Sequence, residues 1–189
     1  MGTNFDYLLE KNEYSNFAQQ AVEAEKSIAI SPATCAILTR RALELAVKFV
    51  YAHDAALKLP YQDNVSSLIH ETSFRNIIEP RLFPMLKYTI HLGNVAVHTN
   101  NNIKRDEAII PLSDLYEFCD WVDYCYSADY EEKTFDESIL ANGDDKRVKA
   151  DELRQLYEDL SSKDKKLESI LKENEELRKQ MTQQRTHNT

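Results

Sequence analysis

From Ser31-Pro32 onward the apolar residues Cys35, Leu38, Ala42, Leu45 and Phe49 recur at steps of three and four. That spacing holds one face of a helix apolar for about four turns, and a strand has no use for it. The serine offers a side-chain oxygen to the orphan amides of a first turn, and proline suits the next position because no donor is needed there. A helix is therefore predicted from Ser31 to about Ala56. The sequence around it reads the same way. Tyr14-Ser15-Asn16 can cap a helix reaching Ile30, with Phe17, Ala21, Ala24 and Ile28 on one face. Asn64 to Ile78, with Leu68, Ile69 and Ile77, reads as a shorter helix. Pro80 and Pro84 punctuate the chain, and a new helix is expected at Pro84 with Met85, Tyr88 and Leu92 on one side. Gly93-Asn94 is expected to break or kink it. Ile109, Leu112, Leu115, Tyr116, Cys119, Val122 and Tyr126 form a last amphipathic run, with Pro111 expected at its true start. No period-2 segment intervenes, so the expected class is all-α: an irregular helical bundle over residues 1–128.

Composition narrows the function. Three glycines in 189 residues are too few for sandwiches, dinucleotide-binding sheets or P-loops, and neither glycine-rich phosphate fingerprint occurs. The formal charge of −9 disfavours a strong direct grip on duplex DNA. Cys35, Cys119 and Cys125 are odd in number and lack a C-x-x-C spacing, which argues against a disulfide framework or a zinc site. No signal-like run, myristoylation pattern or long apolar stretch is present, so the expectation is a soluble, cytoplasmic protein without a membrane contact.

Residues 129–145 hold Asp129, Glu131, Glu132, Asp136, Glu137, Asp144 and Asp145 against Lys133 alone, and read as an acidic linker. Phe135, Ile139 and Leu140 are its means of docking back on the bundle. From 146 to 184 a heptad pattern follows. Leu153, Leu160, Leu167, Asn174 and Met181 occupy one seam position; Leu156, Lys163, Ile170 and Leu177 occupy the other. These predict an extended coiled-coil helix in which Asn174 selects a two-stranded register and Lys163 weakens the seam. A helix folding back on its own bundle is the alternative. Residues 185–189 are expected to be a disordered tail.

One local constellation carries a possible mechanism. His91, Asn94 and His98 surround Gly93, and imidazoles with an amide can move a proton and orient a phosphate. The ordinary reading is that His98 bonds within the bundle and Asn94 caps a helix. Arg40 and Glu44, four apart, suit a helix-face ion pair, leaving Arg41 as the cation that can reach across to His98. Lys87 with Lys104-Arg105 is a small basic group. Glu107, Asp114 and Glu117 suit the positive end of the last bundle helix and need no metal. Tyr116, Trp121, Tyr124 and Tyr126 read as core and surface aromatics.

Taken in order, Asn4-Phe-Asp-Tyr-Leu, Phe17 with Ala24-Glu25, Arg40-Arg41-Ala-Leu-Glu44-Leu and Gly93-Asn94-Val-Ala-Val-His98 resemble the N-terminal helical domain of type I restriction enzyme R subunits. The resemblance covers about residues 1–140, and the leucine-rich segment after them is similar to the one preceding the nuclease domain there. It implies a HEPN-like bundle. Many HEPN members are ribonucleases with an Arg-x(4–6)-His motif; here His98 matches the histidine, Asn94 a polar residue within it, and His91 stands where the arginine belongs. An imidazole replaces a permanent planar cation poorly, so the resemblance implies a non-catalytic assembly or regulatory domain. ATP and Mg are then expected only for the parent subunit, with no cofactor or metal here. From its polar ending the chain is expected to be a fragment excised from such a subunit, with a stand-alone relative as the alternative. The expected partners are other subunits of a restriction-modification complex, or a second copy through the coiled coil. A metal-independent ribonuclease using His98, or a nucleic-acid-binding accessory domain, are the alternatives.

Overall fold

A computed structural model describes residues 2–98 and 103–140. The chain divides into two units, Met1–Asp145 and Lys146–Thr189. The heptad positions Leu153, Leu156, Leu160, Leu167, Ile170, Asn174, Leu177 and Met181, and the tail at 185–189, lie outside the described residues. Within the first unit every regular element described is helical: α1 (Asp6–Leu9), a 3-10 turn (Asn12–Tyr14), α2 (Ser15–Ser27), α3 (Pro32–His53), α4 (Val65–His70), α5 (Thr72–Ile77), α6 (Leu82–His98), α7 (Arg105–Tyr126) and a second 3-10 turn (Glu137–Ile139). The all-α class is the one the periodicity predicts.

Helix α3 is the centre of the bundle, packed against α2, α6, α7 and the shorter α4. No residue from Pro32 to Tyr51 is exposed, so a helix that reads as amphipathic is covered on every side. Its start follows the sequence: the Ser31 hydroxyl accepts from the Thr34 amide at 3.2 Å, with proline as the first helical residue. Asn64 caps α4 likewise, accepting from the Ser67 amide at 3.0 Å. Tyr14 precedes α2 without a side-chain cap, so the predicted Ser15-Asn16 cap does not form and the helix ends at Ser27 rather than Ile30.

Four boundaries differ from the sequence reading. The helix predicted over Asn64–Ile78 is two, because Glu71 adopts an extended ψ of 133° and restarts the chain as the N-cap of α5. Helix α6 begins at Leu82, so Pro84 lies within its first turn, where a missing amide leaves no bond unmade. It then runs unbroken through Gly93. Helix α7 begins at Arg105, six residues before Pro111, with the Lys104 amide donating to Glu107 Oε2 at 2.8 Å. Proline removes one backbone bond from an otherwise continuous helix, and Pro111 is buried with Ala108, Ile109 and Leu112 around it in α7. Packing outweighs the lost bond.

The N-terminal segment and the chain after α7 fasten to each other across the bundle. Both Glu25 carboxylate oxygens accept from the Asn4 amide, at 3.1 and 3.0 Å. The Asn4 side chain donates to the Asp136 carbonyl and accepts from the Asp136 amide at 2.7 Å. Burial raises the Glu25 carboxyl, opposed by the bonds from Asn4. Lys11 Nζ donates to Asp123 Oδ1 and Ser127 Oγ, each at 2.7 Å, and lies 3.0 Å from Asp129. The described part of the acidic stretch is therefore docked: Tyr130 donates to Asp120, the Phe135 ring packs on Tyr116, and Leu140 is buried, while Ile139 stays exposed.

Candidate functional site

Gly93 explains how α6 is placed. A Cβ added there would lie 2.5 Å from Arg40 Cβ, 2.8 Å from Arg40 Cδ and 3.1 Å from the Ala36 carbonyl oxygen. The glycine is needed for a close helix crossing rather than a backbone turn, since no glycine in the described residues has a positive φ. The sequence reading took it for a break because glycine lowers helix propensity; the tertiary contact with α3 outweighs that local preference.

The crossing sorts the candidate residues. His91 and Asn94 are exposed on α6, three positions apart and therefore on one face. His98 falls at the next step of the same register, as the last residue of α6; its side chain lies outside the described residues. Of the two arginines on α3, Arg40 is the one laid against Gly93. It makes no hydrogen bond or ion pair among the described residues, and its Nε is buried without a partner. The predicted Arg40–Glu44 pair does not form: Glu44 Oε1 takes Lys48 Nζ instead, at 2.8 Å. A four-residue spacing offers Glu44 a partner on either side, and the Gly93 crossing holds the Arg40 stem. Arg41 sits half-buried one position on. Arg40 is thus the arginine laid along Gly93, while the predicted approach of Arg41 to His98 involves a side chain outside the described residues. One turn before Gly93, Thr89 Oγ1 is also buried with no partner.

The carboxylates of α7 do not behave as a helix-start cluster. Only Asp106 and Glu107 lie in its first turn. Asp114 is buried two turns further on, where burial and the nearby Glu117 push its carboxyl up to about 7. Glu117 pairs with Arg81 at 2.7 Å. No group of three or more His, Cys, Asp or Glu able to hold a metal occurs among the described residues. The buried Cys35 thiol is pushed up to about 12 by burial, and Cys119 is pushed upward for the same reason, so neither supplies a thiolate. No helix among the described residues is long and apolar enough to cross a membrane. Tyr116 and Trp121 are core residues and Tyr126 is half-buried, while Tyr124 is 65% exposed and meets Tyr130 edge-on.

A second group escaped the sequence reading. At the first turns of α6, Arg75 from α5 and Lys87 lie over the ring of Phe83, and His70 at the end of α4 meets its edge. The sequence groups Lys87 with Lys104-Arg105; the structure sets it over Phe83, the ring that Arg75 also covers. The available signal was the absence of any Asp or Glu between Glu79 and Asp106.

No curated protein and no solved structure matches the chain. A family model described as "Domain of unknown function (DUF4145)" matches residues 22–169, which runs from the second half of α2 through all of α3 to α7. With well over half of its length matched, the chain belongs to the DUF4145 family.

Proposed function

We propose that the chain is a non-catalytic assembly and regulatory domain of a type I restriction-modification complex, belonging to its R subunit and serving defence against foreign DNA. The observation that carries this reading is the use made of the residues that resemble that subunit. Asn4 and Glu25 fasten the N-terminal segment, and Gly93 seats α6 on α3 beside Arg40. These motif residues shape a scaffold. In this reading ATP and Mg serve other parts of the subunit, and the heptads from Leu153 to Met181 supply contact with another subunit or a second copy.

Co-expression of residues 1–189 with the methylation and specificity subunits of a type I complex tests the proposal, together with sedimentation equilibrium of the chain alone. Co-purification or a dimer that Leu160→Asp with Leu167→Asp abolishes is the expected result. A chain that stays monomeric to high micromolar concentration and captures neither subunit would sink the reading.

A metal-independent ribonuclease is the second reading, favoured by one observation. α6 presents His91 and Asn94 on its exposed face, with His98 at the next register step and Arg40, which meets no carboxylate among the described residues, at the adjoining crossing. Incubation with single-stranded RNA in EDTA, beside His98→Ala, separates the two. Cleavage that vanishes in the variant supports catalysis, and equal cleavage by both refutes it.

A further inference from the structure

The chain carries a net charge of −9, but its acids are unevenly placed. Between Glu79 and Asp106 there is no Asp or Glu, while Arg81, Lys87, Lys104 and Arg105 all fall there. At the start of this stretch three side chains from three helices converge on one ring. The Arg75 guanidinium carbon lies 4.0 Å from the Phe83 centroid and Lys87 Nζ 5.8 Å from it, and the His70 ring stands edge-on at 5.3 Å. All three are exposed, and Phe83 is half-buried beneath them.

Local carboxylates are engaged elsewhere. Glu79 accepts from Arg81 Nε at 2.7 Å, Glu117 accepts from Arg81 as well, and Glu71 caps α5. Arg75 and Lys87 make neither a hydrogen bond nor an ion pair among the described residues; the ring is what they touch. A cation–π contact fixes a guanidinium in place while using none of its N–H donors. Arg75 is therefore held with its donors unspent, on a ring it shares with a second cation and with a histidine whose Nδ1 donates to the Ser66 carbonyl. Gathering like charges without a counter-charge is unfavourable, and an anion bound between them relieves it.

We propose that His70, Arg75 and Lys87 around Phe83 form a binding site for a phosphate monoester, such as the terminal phosphate of a nucleotide. A carboxylate offers one charge. A monoester at neutral pH carries close to two, with three acceptor oxygens for the Arg75 fork, the Lys87 ammonium and, when the ring is doubly protonated, the outer nitrogen of His70. The site is separate from the Gly93 crossing and does not rest on the assembly reading above.

Thermal unfolding of the full chain at constant ionic strength tests it, with inorganic phosphate, adenosine 5′-monophosphate or adenosine as the probe. A ligand that binds only the folded state raises Tm saturably. The expected result is a rise with both phosphates and none with adenosine. A stronger response to the monophosphate identifies a nucleotide source, and an equal one identifies free phosphate; both support the site. Arg75→Gln with Lys87→Gln is expected to weaken binding at least tenfold, while Lys26→Gln with Lys133→Gln leaves it unchanged. The proposal is overturned if the double variant at the site responds like the wild type, if adenosine matches its monophosphate, or if no shift occurs up to ~10 mM.

Discussion

Helices α6 and α7 lie side by side against α3 and handle charge in opposite ways. α7 carries six carboxylates, and those in its second half are committed to the fold: Glu117 to Arg81, Asp120 to Tyr130, Asp123 to Lys11. α6 has no carboxylate at all, and its exposed Lys87, together with Arg75 beside it, meets an aromatic ring rather than an acid. Charge on α7 is part of the structure; charge on α6 faces outward and is available. The lesson is that a strongly acidic chain can still present a cationic face, provided its acids are drawn into internal pairs.

The sharpest way to break this contrast is Lys11→Met. Asp123 is almost wholly buried, so removing its cation leaves a buried charge unmatched and is expected to destabilise the bundle by about 3 kcal/mol in urea unfolding at neutral pH. Gly93→Ala comes next. Its Cβ would collide with the Arg40 stem and the Ala36 carbonyl, and overpacking of this kind costs about 1–3 kcal/mol. A loss below ~0.5 kcal/mol would mean that α3 and α6 separate easily.

Asp114 is the exception among the α7 acids, buried without a cation. Its carboxyl stands at about 7, above the ordinary value of 3.8, because burial disfavours the charged form. The folded chain thus keeps a proton that the unfolded chain releases, and between about pH 4 and 7 this group lowers stability as pH rises. Asp114→Asn is expected to stabilise the protein by about 1–2 kcal/mol at pH 8 and by nothing measurable near pH 4. An equal gain at both pH values would refute the assignment. The smallest effect belongs to α6: Lys87→Gln should change stability by less than ~0.5 kcal/mol, as an exposed charge outside any ion pair does. A larger loss would make the cationic face structural and erase the contrast.

Much of the bundle was legible from spacing. The 3-4-3-4 pattern of Cys35 to Phe49 and the Ser31-Pro32 start place the beginning of α3 to the residue, while its end, at His53, falls short of the expected Ala56. Local rules failed where local preference met a distant partner. Gly93 read as a break and Pro111 as a helix start, yet both lie inside helices, because packing against neighbouring elements exceeds the propensity penalty. For the candidate site, the sequence supplied the exposed face of α6 with His91 and Asn94. It gave Arg40 to Glu44 rather than to Gly93, since an i, i+4 pair is visible along a chain and a helix crossing is not.

By itself the sequence determined that this is a helical protein, where most of its helices lie, and that its acids avoid the stretch from Pro80 to Arg105. Those properties follow from neighbours three or four positions apart and from simple composition. Only the tertiary structure decided that Asn4 ties Glu25 to Asp136, that Lys11 answers Asp123 and that Arg40 lies along Gly93. Each joins residues 21 to 132 positions apart. Such contacts form when apolar faces pack and bring distant segments together, and no period within a single helix encodes them.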